Sequence, residues 1–223
     1  MNKQGRIVIY ILISLVVLST VVIGAEKMDA TMQFYLDNTA YVFNQNFIFN
    51  KEADFSFKVR SILEKTDYRG KLEKIDTAVY HIYVTSGVVD SMNVIDSASQ
   101  SENIPPDSFA PFLPWEEKSF SYYFYPNDTG AGRLAIGYET PGGDTTDNRS
   151  GFMNVDRDNF TLISVFLHSR NEEGFRRLSR VYSFERSEGV IRPLKYEQYR
   201  VRIAFMGHSY TRLYAEFFDY QFK

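Results

Sequence analysis

Cysteine is absent from the 223 residues. That lack excludes disulfides, thiolate metal sites and a cysteine nucleophile, and it removes the Cys that a bacterial lipoprotein carries just after its leader. Export remains open to such a chain, because a domain of this size is held by its core without covalent staples. Histidine is scarce as well. His81, His168 and His208 fall in three separate stretches, and no HxxxH or HExxH spacing draws zinc ligands together. No G-x-S-x-G places a serine on a strained elbow. The expectation is therefore a non-enzymatic protein without metal or cofactor. Positive charge is also short: the formal charge is −3. Arg176, Arg177 and Arg180, or Lys195, Arg200 and Arg202, read as solvated strand faces interleaved with acids, not as the basic footprint that phosphates demand. Nucleic acid is excluded as a partner.

Apolar and aromatic surface is plentiful. Sixteen Tyr and nineteen Phe within an apolar fraction of 44% exceed what a disordered chain carries and predict a packed core. The chain opens with a basic head, Met1 to Arg6, followed by an apolar run from Ile7 to Ile23 that only Ser14, Ser19 and Thr20 interrupt. Its 17 residues lie between a signal-peptide core and a membrane span, so residues 1–25 are expected to be either a signal peptide cut after Ala25 or an N-terminal anchor contacting the membrane through residues 7–23. Lys3 and Arg6 keep the head cytoplasmic, which puts residues 26–223 outside as a single β-rich domain in the periplasm or on the extracytoplasmic face of the inner membrane. Without Lys3 and Arg6 the body carries −5.

Within the body, Met28, Met32, Tyr35 or Leu36, Thr39 and Phe43 recur at helical steps and predict one amphipathic helix over residues 27–45. From Phe55 the period changes to two. Phe55, Phe57 and Val59 alternate with Ser56, Lys58 and Arg60, and after the turn at Asp67-Tyr68-Arg69-Gly70 the residues Ala78, Tyr80, Ile82 and Val84 alternate on the way back, the pattern of a hairpin with one buried face. Ser86-Gly87 turns the chain again into Val88–Asp96.

Residues 97–118 break the rhythm. Proline donates no ladder hydrogen bond, so the stretch through Phe109, Phe112, Leu113, Pro114 and Trp115 is either a wrapped connection that plugs the core or a lid over a cavity. Strands resume at Phe120–Tyr125, Gly132–Thr140, Phe152–Val155, Phe160–His168 and Leu178–Arg186. A run ending at Met206 follows, in which Tyr199, Val201, Ile203 and Phe205 share one face and Gln198, Arg200 and Arg202 the other. The last strand is Tyr210–Phe222. Asp144, Asp147, Asp156 and Asp158 sit in two loops, where turn formation accounts for Asp without calcium. About ten strands with short turns and one early helix predict a mainly β, antiparallel α+β fold, a curved sheet or half-barrel with the helix packed against it.

The order of these features, with Gly151-Phe152-Met153-Asn154-Val155-Asp156 leading into Phe160–Val165, then Tyr182-Ser183-Phe184, Gly189 and long strands ending at Phe218-Asp219-Tyr220, resembles the LolA-like superfamily of bacterial envelope proteins. The resemblance implies a signal sequence and a curved antiparallel sheet whose concave side holds helices and an apolar cavity. It implies a binding protein for a lipid, acyl chain or lipoprotein on the periplasmic side. Phe55, Phe57, Val59, Phe109, Phe112, Leu113, Trp115, Tyr182, Phe184, Tyr199, Val201, Ile203 and Phe205 are the expected lining and cover. If those aromatics close the core completely, the alternative is an envelope scaffold that binds other proteins through an aromatic patch or an exposed sheet edge.

Overall fold

A computed structural model describes residues 30–97, 109, 111–117, 120–125, 132–140, 149–170, 177–204 and 207–222. The leader, Met28, the two loop aspartates Asp144 and Asp147, and Phe205 lie outside these residues.

Residues 30–46 are helical, and the predicted stripe is the buried one: Met32, Leu36, Thr39 and Phe43 are all buried while Phe34 and Tyr41 face outward. Contacts divide the chain inside this helix, into one unit ending at Asn38 and another beginning at Thr39. In the first unit Gln33 Nε2 donates to Asp37 Oδ1 at 2.7 Å and Asn38 Nδ2 to the Phe34 carbonyl at 2.7 Å. In the second, Phe47 leaves helical geometry for extended backbone, and a single 3-10 turn, Ile48–Asn50, leads to the sheet.

Among the described residues the sheet has ten antiparallel strands: β1 Phe55–Thr66, β2 Leu72–Thr85, β3 Val88–Ser97, β4 Ser121–Phe124, β5 Arg133–Glu139, β6 Arg149–Asp156, β7 Leu162–Arg170, β8 Arg177–Ser187, β9 Val190–Ala204 and β10 Gly207–Phe222. Their order is β3-β2-β1-β10-β9-β8-β7-β6-β5-β4. Every neighbour but one follows in sequence. The exception is β1 against β10, with Val59 opposite Phe217 and Ser61 opposite Ala215, which joins two meanders through the ends of the domain. The end strands β3 and β4 do not pair, so this is the expected open half-barrel and not a closed barrel.

Local chemistry sets the turns. Ser86 (φ 52°) with Gly87 (φ 77°), and Glu188 (φ 52°) with Gly189 (φ 79°), place two left-handed residues in two-residue loops, which matches the right-handed twist of the strands they join. The Asp67 carboxylate accepts the backbone N–H groups of Arg69 and Lys71 at 2.8 Å each, and Asp156 those of Asp158 and Asn159. Those two aspartates are therefore turn-formers. One irregularity interrupts β10: the register against β1 shifts between Ser56 and Lys58, where Asp219 takes φ 56°. Lys58 Nζ holds its carboxylate at 2.6 Å.

One face of the sheet, called inner here, carries the core. A row of residues crosses it in register, from Ala78 through Ser61, Ala215, Tyr196, Tyr182, Val165 and Met153 to Ile136. The fit is tight where rings cross the backbone. Added Cβ atoms on Gly137 and Gly151 would collide with the Tyr123 ring and with the Phe166 carbonyl and Tyr138 ring, respectively.

Candidate binding site

Three aromatic groups occupy the inner face. Phe55, Phe57 and Val59 are buried on β1 in one cluster with Ile48, Tyr80, Ile82 and Phe217. The Phe109 ring packs on that cluster, 5.5 Å from Phe57, 6.0 Å from Phe49 and 6.1 Å from Phe217. A second group surrounds Phe43, whose ring lies 4.5 Å from Phe47, 5.4 Å from Phe184 and 5.8 Å from Trp115. In the third, Phe112 meets Phe120 at 6.0 Å and Tyr138 at 6.1 Å, beside buried Leu113. Thus the described part of the proline-rich segment is packed: Phe109, Phe112 and Trp115 each fill space against the domain's own rings. Edge-on and offset contacts of this kind add about 0.5–1.5 kcal/mol per pair beyond area burial.

Burial also sets the protonation of the phenols. Tyr138, Tyr196 and Tyr220 are pushed far above the ordinary tyrosine range by desolvation. Tyr122 is pushed up to about 12, by burial first and then by the Glu117 charge. All remain neutral donors. Tyr220 Oη donates to the Pro193 carbonyl and Tyr122 Oη to the Pro114 carbonyl, each at 2.7 Å. They anchor chain segments and supply no base.

The expected lining is not brought together as a set. Tyr182 stands on the inner face, 4.7 Å from Tyr196. Tyr199 and Val201 do not. Strand β9 pairs Tyr196 with Ala215 and Gln198 with Leu213, so Gln198 and Arg200 take the inner side while Tyr199, opposite Arg212, takes the outer. There Tyr199 is exposed and its ring stacks on Tyr210 at 6.0 Å, beside an open cleft of about 260 Å³ lined by Glu64, Thr66, Gly70 and Arg212. Val201 is buried on that same outer side, and Ile203 pairs with His208 in the ladder. The expectation put the apolar side of β9 inward. A two-residue period says which side chains share a face, and only the register against β10 says which face that is. The same register gives the inner face a polar row, in which buried Asp76 and Gln198 flank Leu63 and Leu213.

The histidines are kept apart by the fold. His81 on β2 meets the Tyr83 hydroxyl at 3.1 Å, and His168 on β7 meets Ser179 of β8 at 2.9 Å. Among the described residues no three His, Asp or Glu side chains gather as a metal ion requires.

One feature escaped the sequence reading. Val84, Ile82 and Tyr80 on β2 are 2%, 0% and 4% exposed, yet their cross-strand partners Val89, Met92 and Val94 on β3 are 37%, 44% and 60% exposed. The apolar inner face thus continues past its cover and lies open over the last strand. No residue of β3 is buried. The signal lay in Val88–Ser97 itself, a half-apolar strand without Lys, Arg, Pro or Gly, but its place at the sheet's end did not.

No protein-family profile and no curated protein matches the chain. Among solved structures it is similar to a DUF1329 family protein from Desulfovibrio piger, with 11% identity over 86% of this chain and 92% of that one and a TM-score of 0.39. It is similar to a putative outer membrane lipoprotein-sorting protein domain from Vibrio parahaemolyticus, at 9% identity over 84% and 92% and a TM-score of 0.35. A third is the MucA/MucB complex of Pseudomonas aeruginosa, at 10% identity over 82% and 92% with a TM-score of 0.21.

Proposed function

We propose that this protein is an exported, non-enzymatic binding protein of the bacterial cell envelope, and that it takes an apolar partner on the open β2–β3 end of its inner sheet face. The observation that carries the reading is the row Val89, Met92 and Val94, which extends a buried apolar surface into solvent. Each CH₂ covered there gains about 0.8 kcal/mol, so a partner that lies along the row gains several kcal/mol from contact with three side chains and the rim of the β2 row. Export is supported by the basic head and apolar run of residues 1–25, which suit a leader or an anchor.

An acyl chain, free or on a lipoprotein, is the ligand to test first. The aromatic groups beneath Phe109 are already in ring contact with each other, so such a chain lies across the open row and does not sink below it. The test uses the full chain isolated from an envelope fraction: bound lipids are identified by mass spectrometry, and a fluorescent fatty acyl probe is titrated against wild type and the Met92→Glu/Val94→Glu double variant. Probe binding that falls at least tenfold in the variant, with an unchanged urea midpoint, supports the acyl ligand. Absence of lipid together with absence of probe binding overturns the acyl ligand and leaves the row to a polypeptide.

A further inference from the structure

We propose that the β3 edge receives an extended polypeptide strand of an envelope partner, with apolar residues on one side and Lys or Arg on the other. This rests on the reading above that the β2–β3 end is the binding site, and it adds the partner's chemistry. Strand β3 ends the sheet order, and among the described residues no strand lies beyond it. An antiparallel strand paired on one side only points half of its backbone N–H and C=O groups outward, and the regular stretch of such an edge is a template for one more strand.

Exposed edges are ordinarily protected by Lys, Pro, bulges that twist them away, or very short length. From Val88 to Ser97 there is no Lys, Arg, Pro or Gly, and all ten residues are exposed. The register against β2 shifts between Val79 and Tyr80 and between Tyr83 and Val84, which leaves Ser91–Val94 as an uninterrupted run at the centre. Its two sides differ. Met92 and Val94, with Val89 across the shift, extend the apolar inner face, whereas Ser91, Asn93 and Asp96 lie on the outer side. A strand added here covers the apolar row with every second side chain and sets the others beside the polar one.

Charge selects among such strands. Asp90 and Asp96 give β3 two negative charges and no positive one. A basic strand is attracted, and an acidic one, or a second copy of β3, is repelled. Inner-side apolar contact gives affinity, and the carboxylates give partner choice and salt sensitivity.

The experiment titrates the full chain with fluorescein-labelled peptides of about ten residues that alternate Val and Lys, Val and Glu, or carry the Val/Lys residues in blocks. Two further Val/Lys peptides are N-methylated on odd or on even residues, which removes hydrogen bonding along one edge of the strand at a time. Expected are tightest binding of the alternating Val/Lys peptide, loss of binding on methylating one set of residues but not the other, and at least tenfold weakening by Asp90→Lys/Asp96→Lys, which also admits the Val/Glu peptide. Equal binding of both methylated peptides overturns strand addition and leaves the apolar site intact. Binding of the Val/Lys peptide and of the acyl probe that is unchanged in Met92→Glu/Val94→Glu overturns the site itself. A dimer of the free protein that Val94→Lys dissolves assigns the edge to a second copy and overturns the basic partner.

Discussion

The two ends of the sheet are both edges, yet among the described residues one is short and anchored and the other long and exposed. Strand β4 is only four residues long. Its Tyr122 hydroxyl is tied to the Pro114 carbonyl at 2.7 Å, and the buried ring of Phe120, just before it, lies 5.1 Å from Tyr138. Strand β3 has ten residues, all exposed, where Tyr122 and Phe124 of β4 are half-buried. Both strands alternate, so alternation does not separate them. The difference is that the aromatic-proline segment sets Phe112 against Tyr138 beside β4, and reaches the other half of the sheet only at the β1 cluster through Phe109, while every residue of β3 is exposed. A short, anchored edge is a way to end a sheet; a long one with an apolar inner side is a way to extend it.

The comparison breaks first if the interior is not what holds the fold. Phe57 is fully buried against Phe49, Phe55, Phe109 and Tyr220, and Phe57→Ala is expected to cost about 4 kcal/mol, read as a fall in the urea midpoint at unchanged slope. Gly151→Ala is expected to cost about 3 kcal/mol, because its new methyl group meets a backbone carbonyl and a buried ring that have nowhere to go. At the closed edge, Tyr122→Phe removes a hydrogen bond to a main-chain oxygen and is expected to cost about 1 kcal/mol.

A pH measurement sharpens the same contrast inside the sheet. His168 on β7 is held below its ordinary value of 6.5, first by burial and then by the charges of Arg170 and Arg177. The unfolded chain therefore binds a proton that the folded one resists. Stability falls as the pH drops below about 6.5 and levels off once the folded form also protonates. His168→Gln is expected to flatten that part of the profile in urea titrations between about pH 7.5 and 5. A variant with the wild-type slope would place the sensitivity elsewhere.

Much of this architecture was legible, and the limits are instructive. The helix stripe through Met32 and Phe43, the turns at Asp67–Gly70, Ser86-Gly87 and Glu188-Gly189, and the buried rows of β1 and β2 all follow from short-range periodicity and turn chemistry. The sixth strand, Arg149–Asp156, begins three residues before the apolar stretch that betrayed it, because Arg149, Ser150 and Gly151 pair with β7 through backbone alone. What was not legible depends on pairs distant in the chain. The facing of Tyr199 is set by β10, and the exposure of Val94 by the fact that β1 pairs with β10 on its free side and so leaves β3 outermost. Neither leaves a trace in the local pattern, since Tyr199–Phe205 and Val89–Val94 read like any half-buried strand.

The smallest effect is the most telling one for the site. Val94 stands opposite Tyr80 on the same inner face, 60% exposed where Tyr80 is 4% exposed. Its methyl groups contribute almost nothing to folding if the row is open, and Val94→Ala is expected to change stability by less than about 0.5 kcal/mol, as surface substitutions do. The same substitution is expected to weaken capture of the acyl or peptide probe, because there the side chain does lose water. A cost of about 2 kcal/mol on folding, comparable to truncating a core residue, would mean that the chain itself covers β3. The two edges would then be closed alike, and the binding row would be part of the core.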